Sequence, residues 1–254
     1  MLRGLLGVLF PAECLGCGRS GRPFCSRCWA TVALLSPPGC ERCGRPLDGS
    51  VRGCADCPPG DVSWCRSPFL YDGPVRRALM RLKFGGSRSL AEGLAPFMAG
   101  ALSPGGGWSP GPLEGAVLTW VPLGPKRKRS RGFDQAEVLA RALGPLAGLP
   151  VRRLLRRRVE TAPQARRAGP ERRLALAGAF EPVGEPPPLV VLVDDVLTSG
   201  ATVAECAGRL LRAGASEVGT VTAARALGSP LPPRCYNPHG LPLGSVVARE
   251  RSSR

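Results

Sequence analysis

The chain has 254 residues, 43% of them apolar, and a formal charge of +16 from 35 basic and 19 acidic side chains. That length holds one large domain or two smaller ones with a sizeable core, and the apolar fraction excludes a disordered tail. No apolar run approaches the roughly 20 residues that cross a bilayer, so no membrane insertion is expected and the cytoplasm is the expected compartment.

In chain order, Leu2–Phe10 is apolar with one arginine and no signal-cleavage pattern, and predicts a short packing helix. Eight of the eleven cysteines follow in four Cys-x-x-Cys pairs: Cys14 and Cys17, Cys25 and Cys28, Cys40 and Cys43, Cys54 and Cys57. Two intervening residues let a tight turn present both sulfurs to one metal, whereas disulfide frameworks rarely space cysteines so regularly. Glycine follows the second cysteine at Gly18 and Gly44, so the halves read as a duplicated unit. Four cysteines per half suit tetrahedral zinc with a structural role, paired sequentially; an iron–sulfur cluster is the minor alternative. Cys206 falls on a helix's core face, and Cys65 and Cys235 have no evident partner.

Beyond the cysteines, Trp64–Tyr71 predicts a strand, Asp72-Gly73-Pro74 a turn into a helix ending near Phe84, and Leu90–Leu102 a second helix. Residues 103–112 are too rich in glycine and proline for regular structure. Val117–Val121 predicts a buried strand, and Asp134 with Glu137 has capping-box form for a helix that Gly144-Pro145 ends. Leu189–Val193 is continuously apolar, as in a central parallel strand. Val203, Cys206, Ala207, Leu210 and Leu211 mark one face of a helix ending at Gly214, and Val218–Ala223 is the next strand.

Arginine supplies 32 of the 35 basic residues, in part a GC-rich coding bias, but residues 121–180 hold 15 basic against four acidic side chains. That concentration implies an anionic partner, either a polyphosphate ligand or nucleic acid such as single-stranded DNA. Few aromatics lie there to stack bases: Phe133 and Phe180, with Trp120 just before.

The richest chemistry lies in Val190–Thr202. A buried strand delivers Asp194 and Asp195 at its carboxyl end, where ligands of α/β sheets sit. Thr198, Ser199, Gly200, Ala201 and Thr202 then offer amides, hydroxyls and a helix start to a phosphate. Acids one sugar away can accept from two ribose hydroxyls and hold magnesium. A Walker-type NTPase is excluded, because none of Lys83, Lys126 and Lys128 follows a glycine. The only histidine, His239, lies in an irregular tail, so histidine-centred acid–base or triad chemistry is not expected.

This run resembles the phosphoribosyl-pyrophosphate (PRPP) signature of type I phosphoribosyltransferases. Leu82-Lys83-Phe84-Gly85-Gly86, Val121-Pro122, Lys126–Arg129, Arg131–Ala136, Pro163-Gln164 and Gly178-Ala179-Phe180 extend the likeness to the ComF/GntX family, over about residues 5–225. The resemblance implies an α/β, type I phosphoribosyltransferase-like fold with a central parallel sheet and an N-terminal double zinc ribbon. It divides the chain into a ribbon with its short helix (1–60), a phosphoribosyltransferase-like domain (61–227) and an irregular tail (228–254). It implies Asp194 and Asp195 as catalytic acids, Thr198–Thr202 as the 5′-phosphate loop, and Lys126, Lys128 and Arg131 as pyrophosphate contacts. Thr161–Arg173 would be a lid. Structural zinc, and magnesium with PRPP or a related nucleotide, are the implied cofactors and ligand. The implied role is in DNA uptake during competence, beside single-stranded DNA and DNA-processing proteins, either as a transferase of unassigned acceptor or as a non-catalytic scaffold. Asp134 and Ala175 depart from the pattern, where relatives carry asparagine.

Overall fold

The computed structural model describes residues 13–85, 88–103, 110–158 and 176–228. In chain order these form helix α1 (Ser26–Trp29), strands β1 (Cys65–Arg66) and β2 (Phe69–Leu70), and helices α2 (Gly73–Gly85) and α3 (Arg88–Leu102). Strand β3 (Val117–Trp120), helices α4 (Pro125–Arg131) and α5 (Gln135–Ala147), and strands β4 (Leu155–Arg157) and β5 (Phe180–Pro182) follow. Strand β6 (Leu189–Leu197), helix α6 (Ala201–Arg212) and strand β7 (Glu217–Arg225) complete them. The predicted helix at Leu2–Phe10, the lid at Thr161–Arg173, Ala175, Cys235 and His239 lie outside the described residues.

Five strands make one all-parallel sheet in the order β3, β6, β7, with β1 and β2 in succession along the outer side of β7. Strand β6 is thus flanked on both sides and covered on both faces, which is why its sequence is continuously apolar rather than alternating. The pleat divides its side chains between two cores. Val190 and Leu192 pack with Val203, Cys206 and Leu210 of α6. Val191 and Val193 pack with Leu82 of α2, Leu94 of α3 and Leu139 of α5. Cys206 is a core residue of the first layer, and Cys65, on β1, is buried in the same layer with its thiol pushed up to about 12 by burial.

Three local expectations are corrected. The strand at Trp64–Tyr71 is two short strands separated by Ser67 and Pro68, because proline brings no amide to the ladder. The central strand does not stop at Val193 but carries Asp194 and Asp195 within it, paired with β7 as far as Leu197. Helix α5 runs past Gly144-Pro145 to Ala147 and ends at Gly148, whose amide donates to the Gly144 carbonyl. Pro145 falls in the last turn, where its missing amide removes one terminal bond. Gly144 is small for packing: a Cβ there would lie 2.5 Å from Cγ2 of Val151.

The ribbon halves repeat one another in their hydrogen bonds. The Cys14 amide donates to Arg19 and the Gly18 amide to Cys14, at 2.6 and 2.9 Å; Cys40 with Arg45, and Gly44 with Cys40, do the same at 2.8 Å each. Gly18 and Gly44 take left-handed φ of +76° and +65°, which explains glycine at that place. Two sulfur quartets result, Cys14/17/25/28 and Cys40/43/54/57, each with all sulfurs within 4.8 Å. Cys17 and Cys25 are 3.8 Å apart, and Cys40–Cys57 and Cys43–Cys54 are each 3.6 Å. A zinc ion about 2.3 Å from four sulfurs spaces them by roughly 3.8 Å, so the quartets fit zinc in sequential pairing. An iron–sulfur cluster, with its own atoms between the ligands, spreads them wider. Burial, the largest influence on Cys14, opposes ionisation, but the amides of Cys25, Cys17 and Gly16 prevail and bring its thiol down to about 6.

Each zinc–thiolate quartet carries a formal excess of two negative charges, and arginines tie the first to α2 and the second to the sheet. From α2, Arg81 donates to the carbonyls of Cys14 and Leu15 at 2.9 and 3.1 Å, and Arg77 to Gly16 at 3.2 Å. At the second quartet, Arg225 of β7 is 1% exposed and donates to the carbonyls of Cys43 and Asp56 at 2.5 and 2.8 Å. Arg45 pairs with Asp56 beside it.

Replacing Arg225 with methionine leaves the Cys43 and Asp56 carbonyls without their donor, and is expected to lower stability by about 3 kcal/mol in urea unfolding. A chromophoric chelator added to the unfolded protein is expected to release two zinc ions per chain, and one from Cys40→Ser. A ratio unaffected by that substitution would contradict the sulfur geometry.

Candidate functional site

The two acids leave β6 on opposite faces, as successive residues of a strand must. Asp194 continues the series of Val190 and Leu192 toward α6. Asp195 continues that of Val191 and Val193 toward α2, where Lys83 Nζ meets its Oδ2 at 2.5 Å. Burial opposes the charge on Lys83, but the Asp195 carboxylate outweighs it and holds the ammonium above its ordinary range. Asp194 accepts from the Asp195 amide at 2.8 Å, and burial first, then the neighbouring Asp195 charge, pushes its carboxyl well above the usual range.

These groups line a pocket of about 140 Å³ with Thr198, Gly200, Thr202 and Val203. Its floor is the start of α6, whose first amides have no partner inside the helix. Gly200 occupies the cap position with φ +74° and contributes no side chain to those amides. Glycine is required there twice over. The left-handed φ strains any side chain, and a Cβ would lie 2.5 Å from Cβ of Pro58, the residue after Cys57. The second zinc ribbon therefore backs the loop directly.

Strand β3 ends beside β6, with the Val121 amide donating to Val193 at 3.0 Å, so the segment leaving β3 starts at the same sheet edge as the acids. That segment is the short helix α4, which carries Lys126, Lys128 and Arg131. Lys128 pairs with Glu137 at 3.2 Å. Arg131 donates to Gln135 Oε1 at 3.0 Å and stacks over Phe84, its guanidinium carbon 5.1 Å from the ring centre. Asp134 caps α5 as predicted, accepting from Ala136 with one oxygen at 3.1 Å. Its second oxygen accepts from the Leu123 amide at 2.7 Å, a bond that asparagine, with one acceptor oxygen, could not add.

The predicted acids and the Thr198–Thr202 loop thus come together in one pocket, and the three cations of α4 lie on the segment entering from β3. Lys83 lines this pocket, although its sequence motif did not single it out as a site residue. Its signal was present: in a chain with three lysines against 32 arginines, one lysine meets Asp195 and the other two lie on α4. A compact ammonium suits a narrow carboxylate-lined pocket better than a planar guanidinium.

A family model described as a double zinc ribbon domain matches residues 5–58. The chain is 27% identical to Competence protein ComFC of Streptococcus pneumoniae, over 80% of this chain and 87% of the relative. It is 27% identical to Competence protein F of Haemophilus influenzae, over 88% of this chain and 95% of the relative. It is 32% identical to the DNA utilization protein YhgH of Salmonella typhi, over 70% of this chain and 80% of the relative. A solved structure of an allosteric regulatory enzyme of purine biosynthesis aligns with 56% of this chain at 20% identity and a TM-score of 0.37; the match spans 29% of that protein.

The raised Asp194 carboxyl yields a pH dependence of fixed sign. Its stabilising contribution is complete below the unfolded value of 3.8 and is lost as pH rises through the higher folded value. Asp194→Asn, neutral at every pH, is accordingly expected to raise the melting midpoint at pH 7 by roughly 2–4 °C. A lowered midpoint would show that the acid is not strained in the free protein. Gly200→Ala is expected to destabilise the chain, through both backbone strain and the Pro58 contact, by at least about 1 kcal/mol.

Proposed function

The chain belongs to the ComF/GntX family of competence proteins, and on that footing we propose that its pocket binds PRPP with magnesium and that the protein acts on the path of DNA taken up by the cell. The observation that carries the ligand reading is the joint placement of Asp194 and Asp195 with the Thr198–Thr202 loop around one cavity. The loop amides and the positive end of α6 suit the 5′-phosphate. The two acids suit the ribose hydroxyls one sugar length away. Asp194 also fits a hard cation, because its burial beside a second carboxylate disfavours its charge until a positive partner arrives. Bound magnesium supplies charge neutralisation on the pyrophosphate.

In such a transfer the bond from the anomeric carbon to pyrophosphate breaks, and a bond to the acceptor forms. The protein's part is positioning and charge, with no nucleophile of its own. Lys126, Lys128 and Arg131 are the cations we assign to the departing pyrophosphate, Lys128 exchanging Glu137 for it. Lys83 holds Asp195 in place from the opposite layer. The role in DNA uptake rests on the names of the relatives, and DNA-processing proteins are the partners it implies.

A second reading, in which the domain binds single-stranded DNA without catalysis, is favoured by the exposed Lys126, Lys128 and Arg129 of α4. Calorimetry with Mg-PRPP is expected to show binding to the wild type and loss of at least tenfold in affinity in Asp194→Ala/Asp195→Ala. Heat from neither protein would sink the ligand reading. If DNA is bound through α4, Lys126→Ala/Lys128→Ala reduces the slope of log affinity against log salt by about 1.4, near 0.7 per phosphate contact on a single strand.

A further inference from the structure

Phe84 is the most exposed large apolar side chain among the described residues, at 69%. A lone exposed phenylalanine needs no explanation, but this one is anchored to the pocket from two directions. Along the chain, it follows Lys83, whose ammonium lies 2.5 Å from Asp195. Across space, it lies under the Arg131 guanidinium, and the Asp195 carboxylate is among the charges acting on that guanidinium. Arg131 is itself held by Gln135 at 3.0 Å. The ring is therefore tied to the two cations on which the Asp195 charge acts, with most of its surface in water.

We propose that Phe84, steadied by Arg131, is a stacking platform for a nucleobase whose sugar and phosphate occupy the Asp194–Asp195 pocket. This rests on the sugar-phosphate reading of that pocket and adds the class of group presented to it. A flat π-face on an aromatic ring gains free energy whatever the base, and a neighbouring guanidinium adds to it. On this proposal the ring takes the base while the two acids take the ribose. Phe84 touches the base, and Arg131 acts through Phe84 as a positioning residue. The same chemistry is offered by a mononucleotide and by one base of single-stranded DNA.

The test compares ribose 5-phosphate, the four nucleoside 5′-monophosphates and a twelve-residue oligothymidylate, each with magnesium, on the full-length zinc-loaded protein by calorimetry. At least one mononucleotide is expected to bind the wild type roughly tenfold more tightly than ribose 5-phosphate. Phe84→Leu, apolar but not aromatic, removes that difference and leaves ribose 5-phosphate binding unchanged, while Phe84→Trp keeps it. If the base comes from DNA, the loss in Phe84→Leu appears with the oligonucleotide instead. The proposal is overturned if neither ligand shows a base-dependent gain, or if Phe84→Leu retains it. Ribose 5-phosphate bound without any such gain leaves the pocket reading standing and this one refuted. Failure of ribose 5-phosphate to bind the wild type refutes both.

Discussion

The buried guanidinium of Arg225 joins the two halves of this molecule. It closes the last strand of the sheet and donates to the carbonyls of Cys43, a quartet cysteine, and Asp56, the neighbour of another. A cation that is 1% exposed is tolerable only with negative charge nearby, and a zinc–thiolate quartet supplies that charge. The ribbon is consequently no loose appendage. Its second half lies against β7, and from there Pro58 reaches Gly200 of the loop that opens α6.

The sheet places the chemistry by the same economy. Because β6 is covered on both faces, each face has its own core, and the alternation that separates Val190 from Val191 also separates Asp194 from Asp195. One acid faces the start of α6, the other meets Lys83 of α2. A single strand thus draws two layers to one pocket. The acid pair costs stability in the free protein, because burial beside a like charge pushes the Asp194 carboxyl up. Such strain is expected where a ligand is to be received.

Much of this was legible in the chain. The Cys-x-x-Cys spacing and the glycine after it led to two sequential quartets, and the quartets formed. The apolar run led to a central parallel strand, and Asp134 capped α5 as its spacing with the first turn required. The errors were boundaries. Pro145 looked like a terminator but stood in a last turn that tolerates proline, and the acids looked like a strand end because they are polar, although their backbone pairing with β7 continues.

The sequence by itself determined what depends on short spacings and periodicities: the two cysteine quartets, the helical faces, the strand core, the Thr198–Thr202 loop and the acids before it. Each is a relation among residues within a turn or two of one another, where backbone geometry dictates the outcome. Only the tertiary structure decided that Lys83 pairs with Asp195, that Pro58 backs Gly200, and that Arg225 holds the second ribbon. Those partners are distant in the chain, and they meet because two layers close on one sheet and an electronegative metal site needs a buried cation. No local pattern encodes such meetings; packing does.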